Sequence, residues 1–159
     1  MSGPVIETGP AGPGEAEAVA QAVTELLREL RGDRTHTVAG IVPVAAAAIA
    51  GADGAGVLVA REPAKRGVVG VLGYTVQPTM RLGGPYCLVQ ELWVDPGLRS
   101  RGVAGLLLAE LDATCAAAGI HRIEVCLPSP GFADYPRTLA FYERSGFRAI
   151  GPRVLKDLP

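Results

Sequence analysis

Between positions 90 and 105 the chain reads Gln90-Glu91-Leu92-Trp93-Val94-Asp95-Pro96-Gly97-Leu98-Arg99-Ser100-Arg101-Gly102-Val103-Ala104-Gly105. This is an apolar strand, a Pro-Gly turn and a basic, Gly-bearing loop, followed at once by an apolar helix beginning Leu106-Leu107-Leu108. A loop that opens a helix in this way aims several unpaired backbone N–H groups at one point, where the positive end of the helix dipole adds its field. Such a point binds an anion, and a pyrophosphate suits it best. Gly102 lets the backbone approach that anion without a Cβ, and the small Ala104 keeps the helix start open. Arg99 and Arg101 either add charge-assisted contacts or stay solvated. Neither the G-x-G-x-x-G spacing of a dinucleotide site nor a Gly-Lys-Ser/Thr sequence is present.

Glu91 stands among apolar residues just before this loop, so its charge needs a reason. It is a general base acting directly or through water, a carboxylate that recognises a cationic amine, or a solvated residue at a strand edge. Glu124, on the neighbouring strand, competes for the same roles.

The elements around these residues follow from periodicity. A short strand is expected at 4–8. An amphipathic helix is expected at 15–30, with Val19, Val23, Leu26, Leu27 and Leu30 on one stripe. A polar break at 31–36 leads to a helical stretch at 38–50, which Pro43 interrupts. Three runs rich in Val, Leu and Tyr, at 56–61, 67–77 and 85–94, predict an antiparallel meander. The spacing then predicts a helix over 102–118, with Val103, Leu107, Leu111 and Thr114/Cys115 on one face and Gly119 as its C-cap. A strand at 123–127 makes 89–127 a strand–helix–strand unit, hence a crossover and a parallel pair. A loop at 128–136, a helix ending at Ser145 with Gly146 as cap, and a last strand or hairpin at 147–158 complete the chain.

At 159 residues, 48% hydrophobic and 19% charged, the chain fits one domain spanning 1–159. Net charge is −1 and evenly spread, so there is no basic half to grip a polynucleotide. Cys87, Cys115 and Cys126 are odd in number, lack C-x-x-C spacing, and form no metal-ligand pattern with His36 and His121. They read as free thiols in a reducing compartment. With no basic-then-apolar leader and no run long enough to span a bilayer, the expectation is a cytoplasmic protein with no nucleic-acid or membrane partner and no metal.

The segment Arg99-x-x-Gly102-x-Ala104 resembles the acyl-CoA-binding motif Q/R-x-x-G-x-G/A of the GCN5-related N-acetyltransferase superfamily. Leu139-Ala140-Phe141-Tyr142-Glu143-Arg144-Ser145-Gly146-Phe147 resembles that family's helix ending, F-Y-E-x-x-G-F. The element order matches as well. The resemblance implies an α/β (α+β) fold: a mixed sheet, with an antiparallel N-terminal meander plus a parallel β-α-β crossover, flanked by about four helices.

It implies acetyl-CoA as co-substrate and a primary amine as acceptor, on a small molecule or a protein, with direct attack and no acyl-enzyme on Cys126. Backbone groups of Leu92, Trp93 and Val94 would pair with the pantetheine arm where two strands splay. The Arg99-Ser100-Arg101-Gly102-Val103-Ala104-Gly105 loop would hold the pyrophosphate. Tyr142 matches the tyrosine that protonates the departing thiolate, and Glu91 would be the base. Tyr135 stands where the family often has Asn, so a cofactor contact is in question there. His36 falls in the loop that borders the family's acceptor pocket, and homodimers are frequent in the family. A non-catalytic acyl-CoA sensor, and a transferase for longer acyl groups or hydroxyl acceptors, are the alternative readings.

Overall fold

Three Val- and Leu-rich runs pair as an antiparallel meander, β2 (Ala55–Glu62), β3 (Gly67–Thr79) and β4 (Gly84–Val94), in a computed structural model that describes residues 3–32, 35–65 and 67–159. Asp33 and Arg34 of the polar break lie outside the described residues. A short β1 (Glu7–Pro10) joins antiparallel to β2, and β5 (Ile123–Val125) joins parallel to β4, giving the strand order β1-β2-β3-β4-β5. The expected mixed sheet is therefore present, with β1 three residues downstream of its predicted start. Four α-helices occur among the described residues: α1 (Ala16–Arg31), α2 (Val38–Ile49), α3 (Val103–Ala117) and α4 (Tyr135–Arg144).

Strand alternation sorts the core into two faces. On one face Val57, Val59 and Val71 pack with Ala16, Val19 and Ala22 of α1 and Ala45 of α2, and Trp93 lies against this cluster. On the other face Ala60 and Gly70 meet Val103 and Leu107 of α3. Leu58, Leu72, Leu107 and Leu111 are among the largest fully buried side chains, each contributing about 2 kcal/mol of apolar transfer. In α1 the closest contacts are made by small residues rather than by the predicted stripe. Ala16, Ala20, Ala22 and Thr24 are buried beside Val19, while Val23, Leu26, Leu27 and Leu30 are half-buried. Pro43 does not end α2; the helix passes through it, with Thr37 Oγ1 accepting from Gly40 N–H at 3.1 Å to cap the start. Arg61 fastens β2 to the first turns, donating to Glu15 and to the Pro10 carbonyl, and its guanidinium holds the Glu15 carboxyl below its usual range.

The glycine caps fall where expected. Gly119 sits at φ 71° and lets Ile120 N–H reach the Cys115 carbonyl at 2.9 Å. Gly146, at φ 91°, does the same for Phe147 N–H and the Tyr142 carbonyl at 3.0 Å.

The chain groups into two compact units, one ending at Val125 and one spanning Cys126–Pro159. The first holds the sheet and α1 to α3. In the second, α4 carries Tyr142, whose ring stands edge-on to Phe141 and Phe147 at centroid distances of 5.2 and 5.3 Å.

One expectation fails: no strand or hairpin forms after Gly146. That segment places Pro152, which has no N–H to donate, beside Gly151 at φ 136°, and charged residues interrupt its apolar ones. Val154, Leu155 and Leu158 stay 97%, 86% and 80% exposed. Among the described residues no helix is long and apolar enough to cross a membrane, and no group of three His, Cys, Asp or Glu could hold a metal.

Candidate active site

The ladder between β4 and β5 covers only three pairs, Cys87, Leu88 and Val89 with Ile123, Glu124 and Val125. β4 continues for five residues beyond it, to Val94. The register fixes which backbone groups face that side. Asp95 N–H bonds the Val69 carbonyl at 2.9 Å, so the facing pair Val94 and Gly70 is a non-hydrogen-bonded one, and by alternation so is Leu92 with Leu72. The N–H groups of Leu92 and Val94, and the Leu92 carbonyl, therefore point away from β3 toward the side where the ladder has ended. Trp93 pairs with Val71 in a hydrogen-bonded position, so its backbone already serves the meander. Of the three backbones expected to line a slot here, two present groups to it.

From Val94 the chain turns through Pro96–Leu98, with Asp95 Oδ1 accepting from Gly97 N–H at 2.8 Å. Ser100 at φ 62° and Gly102 at φ 82° both adopt left-handed conformations, and the second suits glycine. α3 then begins at Val103 with no side chain capping it. The first N–H groups of the helix, those of Val103, Ala104 and Gly105, accordingly face outward with the positive end of the dipole behind them. A Cβ built on Gly102 or Gly105 meets nothing within 4 Å, so the approach is open. Arg101 is exposed on the same loop.

Arg99 is employed differently from either sequence expectation. Its Nη2 bonds both oxygens of Glu29 on α1 at 2.7 and 2.9 Å, and its Nε donates to the Val94 carbonyl at 2.9 Å. With the two side chains 37% and 35% exposed, this pair adds about 1 kcal/mol at most. Its main effect is to tie the end of β4 to the loop and to engage the outward Val94 carbonyl, leaving the Val94 N–H as a donor.

A β-bulge shapes the other end. Gly73 faces Glu91 and Tyr74 faces Val89, so Gln90 is the extra residue on β4. Alternation from Trp93 keeps Glu91 on the α1/α2 face, and the slip puts Val89 on the α3 face with Tyr74. The Glu91 side chain then lies over Gly73, and a Cβ at that glycine would overlap Glu91 Oε2. No hydrogen bond or ion pair reaches the Glu91 carboxylate from the described residues, and burial raises its pKa above the ordinary carboxylate value. The buried indole N–H of Trp93, on the same face, also lacks an acceptor among them.

Glu124, the competing carboxylate, is tied up: its Oε1 accepts from Arg122 Nε at 2.8 Å and Arg81 Nη2 at 3.3 Å. Glu124 is already engaged by two guanidinium groups, whereas Glu91 has no partner among the described residues, so the geometry favours Glu91. Tyr142 is buried, and burial pushes its hydroxyl up to about 12. Tyr135 opens α4 half-buried, His36 is exposed, and Cys126 is exposed with Arg153 on its sulfur. Sequence reasoning missed Gly73, although an isolated glycine inside a strand is itself a sign of close approach.

The Gly73 contact yields a direct expectation. Because only the end of a flexible side chain must move, Gly73→Ala displaces the Glu91 carboxylate with little cost to the fold. Turnover should fall at least tenfold, with a melting temperature within a few degrees of the parent. A variant with undiminished turnover would remove Gly73 from this role.

The acetyltransferase (GNAT) family model matches residues 18–147. No curated protein matches closely enough to count as a relative. Among solved structures, a protein of Clostridium difficile 630 described as a possible acetyltransferase is similar at TM-score 0.81 and 16% identity, covering 98% of both chains. A ribosomal-protein-alanine N-acetyltransferase from Brucella melitensis is similar at TM-score 0.74 and 16% identity, covering 98% of this chain and 100% of that one. A glucosamine-6-phosphate N-acetyltransferase from Arabidopsis thaliana is similar at TM-score 0.75 and 11% identity, covering 98% and 99%. These likenesses establish the fold, and the acceptors named for the last two differ from one another. With the family model spanning most of its length, the chain belongs to the GNAT acetyltransferase family.

Proposed function

We propose that this chain is an N-acetyltransferase that moves the acetyl group of acetyl-CoA to a primary amine by direct attack, residues 1–159 acting as one catalytic domain. One observation carries the reading: the outward backbone groups of Leu92 and Val94 are followed, one loop later in the chain, by the uncapped start of α3. An extended amide-bearing arm ending in a pyrophosphate fits that sequence of donors, the arm beside Leu92 and Val94 and the pyrophosphate at Arg101, Gly102, Val103, Ala104 and Gly105. Ser100 and Arg99 shape the loop.

The chemical difficulty is the acceptor. An alkyl amine has a pKa of about 10.4 and is protonated at neutral pH, so it must lose a proton before it can attack. Glu91, the unpartnered carboxylate whose proton affinity burial has increased, takes that proton directly or through water. Attack on the thioester carbonyl forms the C–N bond and a tetrahedral oxyanion, to which the Val94 N–H is offered. The C–S bond then breaks. One of the two protons shed by the ammonium group leaves to solvent, and the thiolate gains one from Tyr142, which solvent reprotonates. The support for Tyr142 is its place in the F-Y-E-x-x-G-F segment together with a hydroxyl that stays protonated throughout the physiological range. The cytoplasm, where acetyl-CoA and reduced cysteines coexist, is the compartment this chemistry suits.

Thermal denaturation tests the co-substrate. At a hundredfold excess over Kd, a ligand that binds only the folded state adds about 2.7 kcal/mol. Acetyl-CoA should raise the melting temperature by several degrees and NAD should not. Greater stabilisation by NAD would overturn the assignment.

A further inference from the structure

On the face of the sheet that carries Glu91, the side chains change character along β3, β4 and β5. Next to Gly73 and Glu91 comes a neutral polar ladder. Thr75 Oγ1 accepts from Gln90 Nε2 at 3.1 Å and from Gln77 Nε2 at 3.0 Å, and Gln77 Oε1 accepts from the Tyr86 hydroxyl at 3.2 Å. With both lone pairs occupied, the Thr75 hydroxyl keeps its own proton to donate. Beyond the ladder lies the basic group. Leu88 pairs with Glu124 on β5, which places Glu124 and, two residues earlier, Arg122 on this same face. Arg81 reaches Glu124 from the β3–β4 hairpin.

Two guanidinium groups share a single carboxylate oxygen there, leaving an excess positive charge. The Nη groups of Arg122 and the Nε and Nη1 of Arg81 have no partner among the described residues. The Arg81 and Arg122 side chains are 57% and 34% exposed, whereas Glu124 between them is only 16% exposed. The half-buried carboxylate thus holds two more exposed cations in place. Two residue steps along β3 and one strand across separate Glu91 from Glu124, so these two backbone positions lie on the order of 8 Å apart, with the two arginines that meet at Glu124 marking the basic end.

We propose that the acceptor is an amine that also carries an anionic group, a carboxylate or a phosphate, bound by Arg81 and Arg122 while its amine lies toward Glu91. This rests on the acetyltransferase reading above and names the class of its acceptor. Thr75 and the amides beside it hydrogen-bond the neutral middle of the molecule. Glu124 is then a positioning residue, since it orients the two arginines and does not touch the acceptor.

The test compares CoA release from acetyl-CoA with three amines of about five carbons: an aminoalkanol, the matching aminoalkanoate and an aminoalkyl phosphate. An added charge-assisted contact makes at least one anionic amine roughly 10- to 100-fold better in kcat/KM than the alcohol, mostly through KM. Whichever of the two is preferred identifies the group. In Arg122→Gln, and again in Arg81→Gln, the ratio of anionic to neutral substrate falls toward unity. The proposal is overturned if the aminoalkanol is used as well as both anionic amines, or if neither variant changes the ratio. Failure of the underlying reading looks different: acetyl-CoA binds, yet no amine of any charge type releases CoA.

Discussion

Glu91→Gln lowers kcat/KM for amine acetylation by roughly 10²- to 10⁴-fold, the range that general-base catalysis supplies. The loss corresponds to about 3–5 kcal/mol of transition-state stabilisation. The glutamine keeps the shape that fits over Gly73 but cannot accept the proton. The pH dependence gives a sharper signature. If Glu91 is the base, as proposed, turnover should fall as pH drops through a pKa that burial has raised above the ordinary carboxylate value. Glu91→Gln should remove that acid limb.

Stability should move the other way. Between the unfolded pKa and the raised folded one, the native state binds more protons than the unfolded chain, so the contribution of Glu91 to stability declines as pH rises. Above that raised pKa the fold carries a half-buried charge with no partner among the described residues. Replacing it with a neutral amide therefore raises the melting temperature while abolishing most of the activity. A variant that is both inactive and less stable would identify Glu91 as a structural residue.

Tyr142→Phe should cost roughly 10²-fold in kcat, with acetyl-CoA affinity by titration calorimetry unchanged. The ring that stands against Phe141 and Phe147 is retained, so packing in the second unit is preserved. With its hydroxyl pushed up to about 12, Tyr142 remains protonated well past neutrality. It can supply a proton to a thiolate at any working pH, and no basic limb below pH 10 should belong to it. A Phe variant with wild-type kcat would mean that solvent protonates the leaving group.

Much of this was legible in the residues themselves. Gly102, Gly119 and Gly146 marked the helix start and two helix ends because each needs a left-handed backbone, a requirement local to the chain. The meander and the α3 face followed from periodicity for the same reason. What escaped were effects that depend on partners remote in sequence. Arg99 looked like an anion ligand, but Glu29, 70 residues earlier, holds it. Gln90 sits inside an apolar run in which one extra residue leaves no mark on composition, yet the bulge reverses the faces of the β4 residues before it, Val89 and Leu88 among them. Glu91 and Glu124 were indistinguishable as carboxylates beside apolar strands. Only the two arginines on one of them, and the bare glycine under the other, separate a clamped carboxylate from one without a partner among the described residues. The segment after Gly146 carried strand-like residues, but β propensity without a neighbouring strand to pair with does not make a strand.

The measurement closest to the centre of this account is continuous detection of free CoA thiol from acetyl-CoA across a panel of primary amines. Release that depends on the amine, saturates with it and yields the N-acetyl product in equal amount is the predicted result. A chain that binds acetyl-CoA tightly yet releases no CoA with any amine would contradict it, and would make this site one that holds acetyl-CoA without turning it over.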